Sequence, residues 1–339
     1  MFAAVVKLGS VLLGTGNGSN VEQPPSDTRL VLLAPLNYEL IVFLAESSEM
    51  RVSTITVPDL APGVCAFGAD SLFEAVRQSE VADSYQLDLQ SRSMIAPHGV
   101  LAIMLSARLL HQKSGRPVEL INMEGGVYPY FRRVNLFERG EKWLYTDQPL
   151  DEEWSRIPQS PNLLDITFIR SGDIIEIVKH AETIFERWLS EDDLPRLGNI
   201  ISELCENISR HSRDNWGCLM IQKYELPSKG YVKVCLAFAD MGVGIRGSLS
   251  TCYPNLPTET IGCLTAAVAG VSSRGIGAAG QGLGTASDTA RRSGGHLILR
   301  SHNAAFWLRS NDTMEKPDLA YIPGTQISVE FRAPLSKAA

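Results

Sequence analysis

The stretch ELCENISRHS, residues 203–212, puts a carboxylate, a carboxamide and an imidazole at i, i+4 and i+8: Glu203, Asn207 and His211. On a helix each residue turns about 100°, so a four-residue step advances only about 40°. The three side chains therefore run up one flank of a sector formed by Leu197, Ile200, Ile201, Leu204, Cys205 and Ile208. That apolar sector has to face a core. Its flank is held at the rim of the core, where the rotamer of a carboxylate can be fixed and its proton affinity tuned. Taken alone, the spacing also suits an ordinary amphipathic helix with polar border residues. His211 taken alone suits a rim histidine with a structural hydrogen bond.

Two glycine-bearing segments follow. CLAFADMGVGI reads as a strand running into Asp240, Gly242, Gly244 and Ile245. An ionised aspartate only accepts hydrogen bonds, so at the end of a buried strand it can take one from an exocyclic amine. Glycines beside it let the backbone turn sharply and let a flat ring approach. A plain strand-end turn is the competing reading. Further on, GIGAAGQGLGTASDTARRSGG carries Gly275, Gly277, Gly280, Gly282 and Gly284 ahead of a helix expected at 285–293. Free N–H groups and the positive helix end make such a junction a phosphate site, although a surface loop has the same composition. GIGAAG also matches the dinucleotide fingerprint. The preceding IGCLTAAVAGVSS reads as helix or loop, and the position about 20 residues on, where an acid is needed, falls near Arg300. A dinucleotide site is therefore set aside.

The elements that must carry these residues divide the chain. In the first 50 residues, RLVLLAPL and YELIVFLA read as strands around the loop-like GTGNGSNVEQPPSD, and their role stays open. Residues 51–140 alternate strand and helix: RVSTITV, ADSLFEAVRQS, YQLDL, the amphipathic HGVLAIMLSARLLHQKSG ending at a glycine, RPVELIN and a last helix YPYFRRVNLFE. A polar, proline-bearing linker is expected at 141–160. From 161 to 335, strands LLDITFIRS, GCLMIQKYE, YVKVCLAFAD, GHLILRS, AFWLRS and TQISVEFRA are not interleaved regularly with the helices. That pattern predicts an α/β sandwich with a mainly antiparallel or mixed sheet. The fold class is thus α/β, in two domains.

Composition narrows the function classes. A formal net charge of −7 gives no support to a nucleic-acid or anionic-membrane partner. The six cysteines, at 65, 205, 218, 235, 252 and 263, form no CxxC pair and read as small core residues of a reducing compartment. Apolar runs are too short for a spanning helix, and those of the first residues are too broken for a secretion signal, so a cytoplasmic protein is expected.

Taken in order, ExxxN, DxGxGI, GxGLG and PGTQISVEF, with Gly324 and Thr325 before the last strand, resemble the motifs of the GHKL superfamily of ATP-binding domains. That superfamily includes gyrase, Hsp90, histidine kinases and MutL, with the anti-sigma-factor serine kinases close by. The resemblance spans roughly 150–335 and implies a Bergerat-type sandwich with a mixed sheet over 161–335. It implies ATP and Mg²⁺ as ligands, with Asn207 ligating Mg²⁺ through its amide oxygen. Asp240 would accept from the adenine amine, with Gly242, Gly244 and Ile245 at the adenine pocket. Gly280, Gly282, Leu283 and Gly284 would wrap the triphosphate, and Thr325 would join a water network near adenine. Residues 246–279 would be a mobile lid, from which Arg274 either reaches the γ-phosphate or stays in solvent. Glu203 would be the general base.

Residues 51–140 in turn resemble a degenerate STAS domain around LDLQSRSMIAPHGVLAIML. The turn that carries a phosphorylated serine in that family corresponds to Ala96-Pro97-His98-Gly99, with His98 in the serine's place. The module would then serve as a docking or regulatory surface.

These resemblances imply a Mg-dependent ATP-binding regulatory protein with slow hydrolysis. A serine/threonine kinase of the partner-switching type and a non-catalytic ATP sensor are the alternatives. His98, His111 and His180 lack the setting of a histidine-kinase phosphoacceptor. A protein partner is expected at the N-terminal domain, and a homodimer is left open.

Overall fold

The computed structural model describes residues 29–32, 42–45, 50–63, 65–90, 94–124, 126–148, 162–271, 281–309 and 312–335. In the first unit, Met1–Arg51, strand β1 (Arg29–Leu32) pairs antiparallel with β2 (Val42–Ala45). Both lie in the segments expected as strands.

From Val52 the chain forms a second unit. It begins with β3 (Val52–Thr56), α1 (Cys65–Gln78), β4 (Ser84–Asp88), α2 (Pro97–Ser114), β5 (Val118–Ile121), α3 (Val127–Arg133), α4 (Leu136–Gly140) and β6 (Leu144–Tyr145). The four strands make a parallel sheet in chain order. The helix expected over YPYFRRVNLFE is two helices. Asn135 between them takes φ 59°, a left-handed conformation that interrupts the helix, and its side-chain amide donates to Asp165. Strand β6 carries the sheet into the segment expected as linker; residues 149–161 of that segment lie outside the described residues.

The chain continues through β7 (Leu163–Phe168), α5 (Ile174–Phe185), α6 (Asp193–Asn207), a π-helical turn Ile208–Ser212, β8 (Cys218–Leu226) and β9 (Tyr231–Ala239). Then come α7 (Gly244–Leu249), α8 (Thr260–Val268), α9 (Gln281–Arg292), β10 (His296–His302), β11 (Ala304–Arg309), β12 (Thr313–Lys316) and β13 (Ile322–Pro334). The strand order is β12-β11-β10-β13-β9-β8-β7. Every described pairing of this sheet is antiparallel, the first of the two arrangements the strand pattern allowed, and the mixed sheet implied by the resemblance is not seen. The connections explain it: β8–β9 and β10–β11 are joined by short turns, which link only antiparallel neighbours, and β13 slots between β9 and β10. Strand β12 was not expected, because TMEK is short, polar and lacks an apolar alternation.

Side chains two apart on a strand share a face, and here each face has its own core. Leu219, Ile221, Leu236, Phe238, Leu297, Leu299, Ile327 and Val329 belong to one cluster with α5, α6, α8 and α9. Their neighbours Cys218, Met220, Ala237 and Ala239 belong to a second cluster, with α2 and the parallel sheet. The residues on that second face are mostly small, so a helix can lie close to it. Helix α2 does, touching β8 and β9 on one side and β4, β5 and β6 on the other. Sandwiched between two sheets, it is buried on nearly all sides from Pro97 to Leu110, where its sequence reads as amphipathic.

Two guanidinium–carboxylate pairs cross between these layers in opposite senses. Arg108 of α2 meets Asp214, and Arg300 of β10 meets Asp70 of α1 at 3.0 Å while stacking over Phe73. Among the described residues, no helix is long and apolar enough to cross a membrane.

Candidate functional site

Helix α6 ends at Asn207 and the π turn follows at once. A π turn widens the helix by about one residue and is frequent at functional sites. Here it brings His211 to the same cleft as Asn207. The cleft is open to solvent and, counted with that open space, encloses about 680 Å³. Its polar lining is Asn207, His211, Ser212, Asp240, Ser248 and Thr325, and its apolar lining includes Ile208, Ile245, Leu249, Ala267, Val271, Leu283 and Ile327. A few polar side chains among mostly apolar ones suit a flat heterocycle with a polar edge.

Asp240 is 2% exposed at the C-terminal end of β9. Its N–H donates to the Thr325 carbonyl at 2.9 Å, and its Oδ1 accepts from the Gly242 N–H at 2.8 Å. Burial raises its pKa to about 7; Asp214 adds to the rise, and the Gly242 and Thr325 amides and Arg108 oppose it. A buried acid with so high a proton affinity is a candidate functional group.

The backbone around Asp240 is fixed from four sides. Val243 N–H donates to the Ser212 carbonyl at 2.9 Å. Ile245 N–H donates to Ser301 Oγ at 3.0 Å, which itself donates to the Gly324 carbonyl at 2.8 Å. Met241 N–H donates to Asp214 Oδ2 at 2.8 Å. Gly244 and Gly324 have φ of +68° and +83°; a Cβ on them would lie 2.6 Å from Ser301 Oγ and 2.1 Å from the Asp240 carbonyl oxygen. Gly242 sits so close to Ser212 that a Cβ would meet its carbonyl oxygen at 1.7 Å. The glycines read from the sequence as allowing a sharp turn and a close approach thus do both.

Of the residues singled out by sequence, Asn207, Asp240, Gly244, Ile245, Leu283, Thr325 and His211 line the cleft. Gly242 lies behind it. Glu203 is not part of the lining: it lies under α9, where a Cβ on Gly282 would be 2.4 Å from the Glu203 Cβ. Helix α9 begins at Gln281, earlier than the expected 285, so Gly282, Leu283 and Gly284 form its first turn instead of a loop. The missing Cβ at 282 lets α9 seat close on α6. The first turn of a helix presents unpaired N–H groups, the feature that an anion uses. Gly280 and Arg274 lie outside the described residues. Of the stretch expected as a lid, α7 and α8 contribute Ser248, Leu249, Ala267 and Val271 to the cleft, and residues 272–279 lie outside the described residues.

The turn Ala96-Pro97-His98-Gly99 is buried where α2 meets the antiparallel sheet. Burial first, then the charges of Arg300 and His296, lower the His98 pKa to about 4, so this imidazole is neutral.

Sequence reasoning missed Asp214, Ser212 and Ser301. Asp214 carries the largest share of the framework: it accepts from Met241, from Trp216 N–H at 3.1 Å and from both Arg108 Nη atoms at 3.0 and 2.9 Å. Burial opposes its ionisation, but the Arg108 bonds and charge and the two amides hold its pKa below the usual value. Its signal was a lone acid in SRDNWG after the helix, indistinguishable from loop polarity.

Fit to a nucleotide and its metal can be judged from the donor set. Among the described residues, no group of three or more His, Cys, Asp or Glu side chains could hold a metal. Mg²⁺ needs no such cage, because it keeps waters and takes one or two protein oxygens beside phosphates. The single amide of Asn207 in the cleft, the buried acceptor Asp240 and the first turn of α9 fit that pattern. Compared with known proteins, the chain matches no family model and no curated protein sequence.

Proposed function

We propose that this chain is a Mg-dependent ATP-binding regulatory protein of the GHKL type that hydrolyses ATP slowly. The observation that carries the reading is convergence: Asn207, Asp240, Gly244, Ile245, Leu283 and Thr325, separated by up to more than a hundred residues of chain, line one cleft. They come from four motifs set well apart in the chain, and four such segments have no reason to meet unless they serve one site.

In this reading Asp240 accepts from the exocyclic amine of adenine, and the apolar slabs take the faces of the ring. Guanine presents a carbonyl in the corresponding place and would leave two acceptors facing each other, which a buried site rejects strongly. Asn207 holds Mg²⁺ through its amide oxygen, and the first turn of α9 offers N–H groups to phosphate oxygens. Bound Mg·ATP supplies the phosphoanhydride that is cleaved. Glu203, whose motif position gives it the role of base, would take the proton of the water that attacks the γ-phosphorus as ADP leaves; its carboxylate sits beside Gly282 under the first turn of α9, next to the cleft and outside its lining. The His98 side chain is buried, so among the described residues the turn Ala96-Pro97-His98-Gly99 offers no accessible phosphoacceptor.

The test is a calorimetric titration of the full chain with ATP, GTP and NAD, with and without Mg²⁺, followed by phosphate release. Selective, Mg-strengthened ATP binding and slow phosphate release without a partner are expected. Equal binding of GTP, or preference for NAD, refutes the reading. Transfer of the γ-phosphate to an added protein in place of release would assign the kinase alternative.

A further inference from the structure

We infer that Arg108, from the N-terminal layer, is a positioning residue of the nucleotide cleft, acting through Asp214 on the backbone that follows Asp240. The inference rests on the nucleotide reading above and adds to it a component outside the four motifs. The geometry is direct. Both Arg108 Nη atoms bond both Asp214 oxygens, at 3.0 and 2.9 Å, with each side chain 7% exposed. The oxygen that takes Nη1 also accepts the Met241 N–H at 2.8 Å. Met241 is the residue that joins the adenine acceptor to the glycine turn. The guanidinium is further held over the Trp143 ring at 5.0 Å, so its own position is set by the N-terminal layer.

A bidentate fork to a carboxylate fixes direction as well as distance. Asp214 without it would be a buried charge with two amides, free to rotate away from Met241. The N-terminal layer is thereby built into the purine corner, and a change in how α2 sits on the sheet reaches the ligand through three side chains.

The charges give the inference a signature that simple loss of packing lacks. Asp214 raises the proton affinity of Asp240 and Arg108 lowers it. Among the described residues, the other charged or titratable groups around this corner include His211, which lines the cleft, and His302, against Gly244, with the Arg246 charge acting on it. They also include the buried Cys218 thiol, the register partner of Ala239, which burial pushes up to about 12 and which therefore stays protonated over the range tested. All are unchanged in the variants below. Removing Arg108 leaves the Asp214 charge uncompensated, so the acid limb of ATP affinity, where Asp240 protonates, should move to higher pH. Removing both charges should move it back.

The experiment uses the full chain with Mg·ATP as probe: affinity from pH 5.5 to 9 for wild type, Arg108→Met, Arg108→Lys, Asp214→Asn and the double variant Arg108→Met/Asp214→Asn, together with amide exchange at Met241 in the absence of ligand. Arg108→Met should weaken ATP by at least about tenfold, move the acid limb upward and speed exchange at Met241. Arg108→Lys, which keeps the charge but loses the fork, should weaken binding with a smaller movement of the limb, and it decides the matter if Arg108→Met does not fold. The double variant should bring the limb back. Wild-type affinity, limb and Met241 exchange in both Arg108 variants would overturn the role of Arg108 while leaving the nucleotide reading intact. A wild-type chain that binds no ATP would overturn that reading and this inference with it.

Discussion

Replacing Asp240 with asparagine should stabilise the ligand-free protein above neutral pH and abolish its stabilisation by ATP. The carboxyl is 2% exposed, and burial takes its pKa from 3.8 to about 7. Between those values the folded state binds more protons at this site than the unfolded state, so stability falls as pH rises through that window and levels off above about 7. At about 1.4 kcal/mol per pH unit, the ionised carboxylate costs the fold about 4 kcal/mol at pH 8. Asparagine removes that cost and keeps the shape and an acceptor for the Gly242 N–H. The acceptor is now neutral, which gives back about 1 kcal/mol. Asp240→Asn should therefore gain roughly 2–3 kcal/mol at pH 8, less than 2 kcal/mol near pH 5, and nothing near pH 4. Urea unfolding of both proteins across this range measures it. In the same assay ATP at a hundredfold excess over Kd should add about 2.7 kcal/mol to wild type and nothing to the variant, whose amide can turn a donor toward the adenine amine. A variant no more stable than wild type at pH 8, or one that ATP still stabilises, would refute the view that this acid is kept for its ligand at the expense of the fold.

Other consequences are smaller or simpler. Glu203→Ala should slow phosphate release by about 10²–10⁴-fold while ATP affinity from calorimetry stays near wild type; retained release would remove Glu203 as base. Gly282→Ala places a Cβ 2.4 Å from that of Glu203, so α9 must shift off α6. It should cost about 1–3 kcal/mol in urea unfolding and slow release together. Arg300→Met leaves the Asp70 carboxylate with Lys316 at 3.5 Å and empties a site that is 1% exposed. A loss of about 3 kcal/mol or more is expected, against little change for Arg77→Met, whose surface partner is Glu74.

What the sequence made legible was local. A four-residue step on an apolar helix, an acid at a strand end and glycines ahead of a helix are each set by backbone geometry within a few residues, and Asn207, Asp240, Gly244 and Leu283 meet at one cleft. The split of β8 and β9 into a large-residue face and a small-residue face was also written in CLMI and LAFA, but a strand pattern does not say what covers the second face. Helix α2 therefore read as a half-exposed element of a separate domain, although its alanines and its neighbours in β9 were already small enough for burial on both sides.

What was not legible depends on partners far apart in the chain. Asp214 has meaning only through Arg108 and Met241, and Arg300 only through Asp70, Ala320 and Gln326. A charged residue in isolation reads as solvated, because most are. Burial of Arg300 in an antiparallel strand is tolerated since its guanidinium bonds a carboxylate and three further oxygens. Such groups are expensive to keep, and replacing a buried pair by apolar residues is often neutral or favourable to stability. Stability alone therefore does not account for two of them crossing the same layer boundary in opposite senses. Each demands one relative placement of α2 and α1 on the back of the sheet, where an apolar contact alone would tolerate small slides. That fixed placement is what the purine corner needs, because Met241 hangs from Asp214 and Gln326 is the register partner of Ala239, the residue before Asp240.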